Sequence, residues 1–174
     1  DTGRLKQLLG EELGVDSRNI HAFIIGEHGD SELAVWSEAN VSGLALEDFC
    51  RIRGQALSRP DMDRLYRQVR DSAYEIIKRK GVTCYGIAMG VGRIAASIIR
   101  DEHAVLPISV VLDGQYGLDG LALSIPSVVG RGGLEEILEI PLNGEEEKSL
   151  RDSAQQMREV ISTLKLDREP VCSK

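Results

Sequence analysis

Two β-rich runs, AVLPISVVLDG at residues 104–114 and GLALSIPSVVG at residues 120–130, are joined through the turn-rich stretch Asp113-Gly114-Gln115-Tyr116-Gly117. That adjacency constrains the fold more than any other feature. A parallel crossover takes a dozen or more residues, so a link this short demands an antiparallel hairpin. LEEILEIPL, residues 134–142, offers a third strand to the same sheet. Most of the remaining chain repeats its apolar residues at helical spacing. The pattern predicts an α+β domain, antiparallel strands packed with long helices.

The helices are punctuated by recognisable signals. Asp1-Thr2 reads as a cap, Leu5, Leu8, Leu9 and Leu13 follow at helical spacing, and Gly14 stops a helix over residues 2–13. NIHAFIIG, residues 19–26, reads as a short buried strand. Residues 31–44 fit either a strand or an irregular crossing. A helix begins at Leu46-Glu47, and Ser58-Arg59-Pro60-Asp61 is a break. Past Pro60, Met62, Leu65, Tyr66, Val69, Ala73, Ile76 and Ile77 fall on one stripe of a helix that runs to Gly81, with Lys78, Arg79 and Lys80 matching its dipole. A second apolar segment, Val82 to Arg100, follows at once. The last helix has a clear start, with Asn143 three residues before Glu146 and acidic residues in its first turn. Its stripe is Leu150, Ala154, Met157, Val160, Ile161 and Leu164. Residues 1–167 make one domain and residues 168–174 a frayed tail. The chain has no initiating methionine and opens inside a helix, so it reads as the back part of a longer protein.

Composition excludes several function classes. At 174 residues and a net charge of −7, the chain suits neither nucleic acid nor an anionic membrane surface as a partner. No apolar run approaches the roughly 20 residues of a membrane helix, and no signal peptide opens the chain. Cys50, Cys84 and Cys172 are scattered without a CxxC pair, which suggests neither a metal site nor a disulfide framework. A reducing, cytoplasmic setting is expected.

The chemistry concentrates in IIGEHGDSELAVW, residues 24–36, where an apolar run ends at Gly26 and His28 stands between Glu27 and Gly29. His28 reads either as a turn residue or as a proton-transfer group, since histidine is the side chain best suited to gain and lose a proton near neutrality. In the second reading it needs a carboxylate to fix its tautomer and stabilise its cation. Asp1, Glu27 and Asp30 are the candidates. Arg4 shares a helix face with Asp1 at i+3, either as a solvated residue or as a planar fork for a carboxylate. An orienting acid, a histidine and a carboxylate clamp together describe a site for a small keto or hydroxy acid.

These residues carry a resemblance. DTGRLKQLLGEELGVDSRNIHAFIIGEHGDSELAVWS closely resembles the start of the second half of the L-lactate dehydrogenase family, with its Asp-x-x-Arg and Gly-Glu-His-Gly-Asp-Ser motifs. AYEIIKRKGVTCYGIAMGVGRI and the run from Asp101 to Ala154 are similar to the same family. The resemblance implies that His28 donates a proton to the pyruvate carbonyl, Asp1 orients it, Arg4 clamps the substrate carboxylate, Thr83 lines the substrate pocket and Ile87 packs on the nicotinamide of NAD. It implies a homotetramer or dimer. It also implies that the dinucleotide-binding domain, the mobile active-site loop and the loop residue that selects pyruvate over oxaloacetate lie in sequence outside this chain. Glu27 and Ser31 favour the lactate branch over the malate branch, which usually has Gly-Gly-His-Gly-Asp. Lys6 and His21 fall where many bacterial members bind fructose 1,6-bisphosphate between subunits, although Lys6 replaces the family's arginine.

One competing motif is set aside. Gly90-Val91-Gly92-Arg93-Ile94-Ala95 reads as GxGxxA with Asp113 about 20 residues on, yet no strand precedes it, and the small residues suit a closely packed helix. The expected function is therefore the catalytic, substrate-binding half of an NAD-dependent L-lactate dehydrogenase. Beside it stand a malate or other 2-hydroxy-acid dehydrogenase of the same superfamily, and a non-catalytic domain that serves only subunit assembly. No metal is expected.

Overall fold

A computed structural model describes residues 1–164. Its elements run α1 (Thr2–Leu13), β1 (Ile20–Ile25), β2 (Leu33–Val41), β3 (Leu44–Ala45), α2 (Leu46–Arg53), α3 (Arg59–Arg70), α4 (Ser72–Lys80), α5 (Tyr85–Arg100), β4 (Ala104–Asp113), β5 (Asp119–Gly130), β6 (Gly133–Ile137) and α6 (Gly144–Thr163). Two antiparallel three-stranded sheets result, ordered β1-β2-β3 and β4-β5-β6. The hairpin demanded by the short link is β4–β5, with Ile108 opposite Ile125 and Val110 opposite Leu123. The ambiguous residues 31–44 contain β2.

Strand β1 separates two cores. Ile20, Ala22 and Ile24 face α1, α2 and α3, joining Leu5, Leu9, Leu13, Cys50, Leu65 and Val69. Ile25 faces the other way, into a cluster with Val35, Leu112, Leu123, Ile125, Leu150 and Ala154. The alternation of a strand thus puts one segment to use in two apolar clusters. Gly26 closes the gap between the sheets, exchanging both backbone hydrogen bonds with Ser124 of β5 (2.9 and 2.8 Å).

The end signals act as written in the sequence, with additions. Asn143 caps α6, accepting from the N–H groups of Glu145 and Glu146, while the Glu146 carboxylate accepts from the Asn143 N–H. That carboxylate also accepts from the Ser37 N–H (3.0 Å) and hydroxyl (2.6 Å), so the start of α6 is fastened to β2. Ser58 is more than a break. It forms a capping box with Asp61 and starts α3, with Pro60 in the first turn, where a missing N–H costs nothing.

Three helical expectations need correction. The stripe from Met62 to Ile77 is not one helix, because the backbone turns at Asp71 (φ −81°, ψ −4°) and restarts as α4. No residue of α4 is buried, and Ile77 is exposed. In α6 only the first half of the stripe is buried; Val160, Ile161 and Leu164 stand in solvent. Gly90 and Gly92 lie in α5, which disposes of the dinucleotide motif, but no atom approaches where their Cβ atoms would be. Their smallness serves no close contact among the described residues. The expected tail at residues 168–174 and Cys172 lie outside those residues.

Candidate active site

Strand β1 delivers its last residue, Ile25, to the second core, and Gly26 then turns the chain with φ +94°. L-residues rarely adopt that conformation. A Cβ at Gly26 would also meet Ser153 Oγ at 2.9 Å and Leu33 Cδ2 at 3.2 Å. The next residues are bound down from three sides. The Glu27 N–H donates to Ser153 Oγ (2.8 Å) on α6. The Glu27 carboxylate accepts from the Ser31 N–H (3.2 Å) and hydroxyl (2.7 Å), which closes the loop on itself. The Tyr74 hydroxyl of α4 donates to Asp30 (3.0 Å), and the Tyr66 hydroxyl of α3 donates to the Glu32 carbonyl.

His28 projects from this loop with 80% of its side chain exposed, and its Nδ1 lies 2.5 Å from Asp1 Oδ2. A carboxylate can only accept, so the contact fixes Nδ1 as the protonated nitrogen of the neutral ring and leaves Nε2 for another partner. Of the three carboxylates compatible with the sequence, Asp1 is the one in contact. Glu27 is committed to Ser31 and Asp30 to Tyr74. Asp1 stands at the N-cap of α1 yet makes no side-chain capping bond, because its carboxylate is spent on His28. The start of α1 is instead held by Thr2, whose hydroxyl accepts from the Ile24 N–H at 2.9 Å. That bond ties the acid's helix to the histidine's strand.

Arg4 is exposed one turn along α1 from Asp1, and it forms no salt bridge among the described residues. Thr83 lies exposed in the short link between α4 and α5, and Ile87, 68% exposed, sits in the first turn of α5. Lys6 is half-buried on α1 and His21 exposed on β1. The contacts therefore join Asp1 to His28 and leave the other named residues as surface groups. Two clefts, one lined by Gln7, Glu11, Val15 and Asp16 and one by Leu46, Cys50, Leu57 and Met62, include none of Asp1, Arg4, His28, Thr83 and Ile87.

Thr2, read in the sequence only as part of a cap, and Ser124, Ser153 and Glu32, not singled out there, shape the site. The first three are small hydroxyl residues with no motif of their own. Glu32 had a faint signal, an acid placed immediately before the apolar run LAVW. Burial pushes its carboxyl up to about 7, with Glu27 and Asp30 adding to the rise and Arg70 opposing it.

Residues 1–166 match the lactate/malate dehydrogenase family in its alpha/beta C-terminal domain. The chain belongs to that family. Among its relatives, an L-lactate dehydrogenase of Acetivibrio thermocellus is 46% identical over 94% of this chain and 52% of its own length. An L-lactate dehydrogenase of Lacticaseibacillus casei is 45% identical over 93% of this chain and 49% of its own. A crystal structure of a lactate dehydrogenase enzyme from a Medee basin deep-sea metagenome library superposes with a TM-score of 0.89 at 40% identity, covering 92% of this chain and 51% of that one. The minor L-lactate dehydrogenase of Enterococcus mundtii, in its ligands-bound form, gives 0.89 at 36% identity over 95% and 52%. This lactate/malate dehydrogenase domain thus spans about half the length of the relatives it matches. Two antiparallel sheets and six helices agree with the expected architecture.

Proposed function

We propose that this chain is the catalytic and substrate-binding domain of an NAD-dependent L-lactate dehydrogenase, interconverting pyruvate and L-lactate. The observation that carries the reading is the 2.5 Å contact between Asp1 and an otherwise exposed His28. Protonated His28 donates its Nε2 proton to the carbonyl oxygen of pyruvate, and the same nitrogen takes a proton from the hydroxyl of lactate in reverse. Asp1 holds the ring and stabilises its cation. Arg4, without a carboxylate partner among the described residues, offers two parallel N–H groups to the substrate carboxylate. Thr83 borders the substrate.

A bound nicotinamide supplies the hydride that reaches the carbonyl carbon. The exposed, apolar Ile87 fits a residue that packs against its ring. The bulk of NAD belongs to a domain outside this chain. Tyr85, Ile87, Met89, Val91 and Ile99 leave α5 an apolar surface in solvent, which supports a further domain and sister subunits, a tetramer or dimer, covering it. Among the described residues no helix is long and apolar enough to cross a membrane, in keeping with a cytoplasmic enzyme. Activation by fructose 1,6-bisphosphate at Lys6 and His21 rests on the family resemblance. It is tested by the KM for pyruvate of the complete enzyme with and without the bisphosphate.

The central test is His28→Asn in the complete protein. NADH oxidation by pyruvate should fall by about 10²–10⁴-fold, the usual worth of a general acid, with the fold intact by circular dichroism. Turnover near that of the parent would remove His28 from the chemistry. Oxaloacetate reduced faster than pyruvate would move the enzyme to the malate branch.

A further inference from the structure

Behind the Asp1–His28 couple lies a third ionisable group that the reaction as written does not use. Glu32 is 5% exposed, and its Oε1 is the one buried side-chain nitrogen or oxygen left without a hydrogen-bond partner among the described residues. A Glu32 carboxylate oxygen, an Asp1 carboxylate oxygen and a His28 ring nitrogen all lie within 4.8 Å of one another. The backbone of Glu32 is held at both ends, its N–H on the Gly29 carbonyl (3.3 Å) and its carbonyl by the Tyr66 hydroxyl. The side chain is therefore placed by the fold and aimed at the couple while nothing satisfies it.

We propose that Glu32 is a positioning residue of the proton-transfer couple, a buried carboxyl whose charge changes in step with that of His28. The inference rests on the reading of His28 as the proton donor. An isolated carboxylate in an apolar setting is costly, and two carboxylates this close are costlier still. When His28 is protonated, its charge offsets both acids. Once the proton has gone to substrate, Asp1 and Glu32 face each other as like charges, and Glu32 takes up a proton from solvent. The cluster keeps a nearly constant charge while the histidine cycles. Burial is the largest cause of the elevated Glu32 carboxyl. Glu27 and Asp30 of the loop reinforce it, while Arg70 of α3 and the Asp1 amino group act in the opposite direction. In a longer chain, where a peptide bond replaces that amino group, Arg70 alone of the two opposes the rise.

The test uses the complete protein carrying Glu32→Gln, with Glu32→Leu as a second variant of similar bulk that tolerates burial. Two profiles are read against pH: pyruvate reduction at subsaturating substrate, and carbethoxylation of His28 by diethyl pyrocarbonate, followed by peptide mass mapping. The reagent attacks the uncharged ring and needs no turnover. Removing the negative charge near the ring should move the midpoints of both profiles toward acid by about one pH unit, a roughly threefold change in rate at a pH midway between them. Both variants should show it. Midpoints equal to the parent's in folded variants would overturn the coupling and leave Glu32 a packing residue. A parent that labels with a Glu32-dependent midpoint yet reduces no pyruvate would uphold the coupling and overturn the dehydrogenase reading instead.

Discussion

Gly26→Ala puts the geometry of the histidine loop to a quantitative test. Gly26 adopts φ +94°, and holding a non-glycine residue in a sparsely populated backbone region costs about 1–3 kcal/mol. The added methyl would sit 2.9 Å from Ser153 Oγ and 3.2 Å from Leu33 Cδ2. The hydroxyl cannot retreat freely, because it accepts from the Glu27 N–H at 2.8 Å. Overpacking of this kind adds about 1–3 kcal/mol. The sum, about 2–6 kcal/mol, would lower a urea midpoint by about 1–3 M at an m-value of about 2 kcal/mol/M. Urea unfolding of the complete protein, followed by fluorescence and by residual pyruvate turnover, measures it. Ser153→Ala alone orphans the Glu27 N–H and costs about 1–3 kcal/mol. In the double variant the tight contact is gone, so the combined loss should be smaller than the sum of the two. A Gly26→Ala loss under about 1 kcal/mol, or strict additivity with Ser153→Ala, would refute the argument that this glycine sets the path of the loop.

Three other outcomes follow from the site. Asp1→Asn should leave His28 exposed without a partner anion and cut pyruvate turnover by about 10²–10⁴-fold, as steady-state kinetics will show. Arg4→Lys keeps the charge but loses the fork, so the KM for pyruvate should rise roughly 10–100-fold; an unchanged KM would take Arg4 out of the carboxylate site. Glu32, raised from 4.5 to about 7 in the folded chain, binds a proton that the unfolded chain has already released between those pH values. Its contribution to stability is complete below about 4.5 and is lost as pH rises through about 7, so denaturant midpoints should fall across that window and flatten in Glu32→Leu.

How far the sequence was legible depends on the range of each interaction. Asn143 with Glu146, and Gly14 after Leu13, are local devices whose partners lie within a few residues, and the structure places them as read. The hairpin of β4 and β5 was equally local. Ser58 was read only as a break, although its capping box with Asp61 is just as short a signal. The stripe through Ile77 failed because periodicity reports an apolar face, not its partner; no residue of α4 is buried among the described residues, and the turn at Asp71 has neither glycine nor proline to mark it. The site divides the same way. From the residues alone the Asp1–His28 pairing stood among three choices, because separation along the chain does not say which acid folds back; the family resemblance was what pointed to Asp1. Thr2 to Ile24, Ser153 to Glu27 and Glu146 to Ser37 join residues 22, 126 and 109 positions apart, and nothing in the local pattern foretells them.

Strand β1 carries a consequence for how this chain can vary. An ordinary half-buried strand accepts change at every second position, and that slack is where drift accumulates. In β1 the two sets of alternate residues are claimed by different cores, with Ile20, Ala22 and Ile24 on one side and Phe23 and Ile25 on the other. Substitution tolerance along Ile20–Ile25 should therefore appear as a continuous intolerant block, interrupted only at the exposed His21. A lineage carrying this strand has almost no neutral steps available immediately upstream of its histidine, so new substrate preferences must be acquired from elements that approach the histidine from elsewhere.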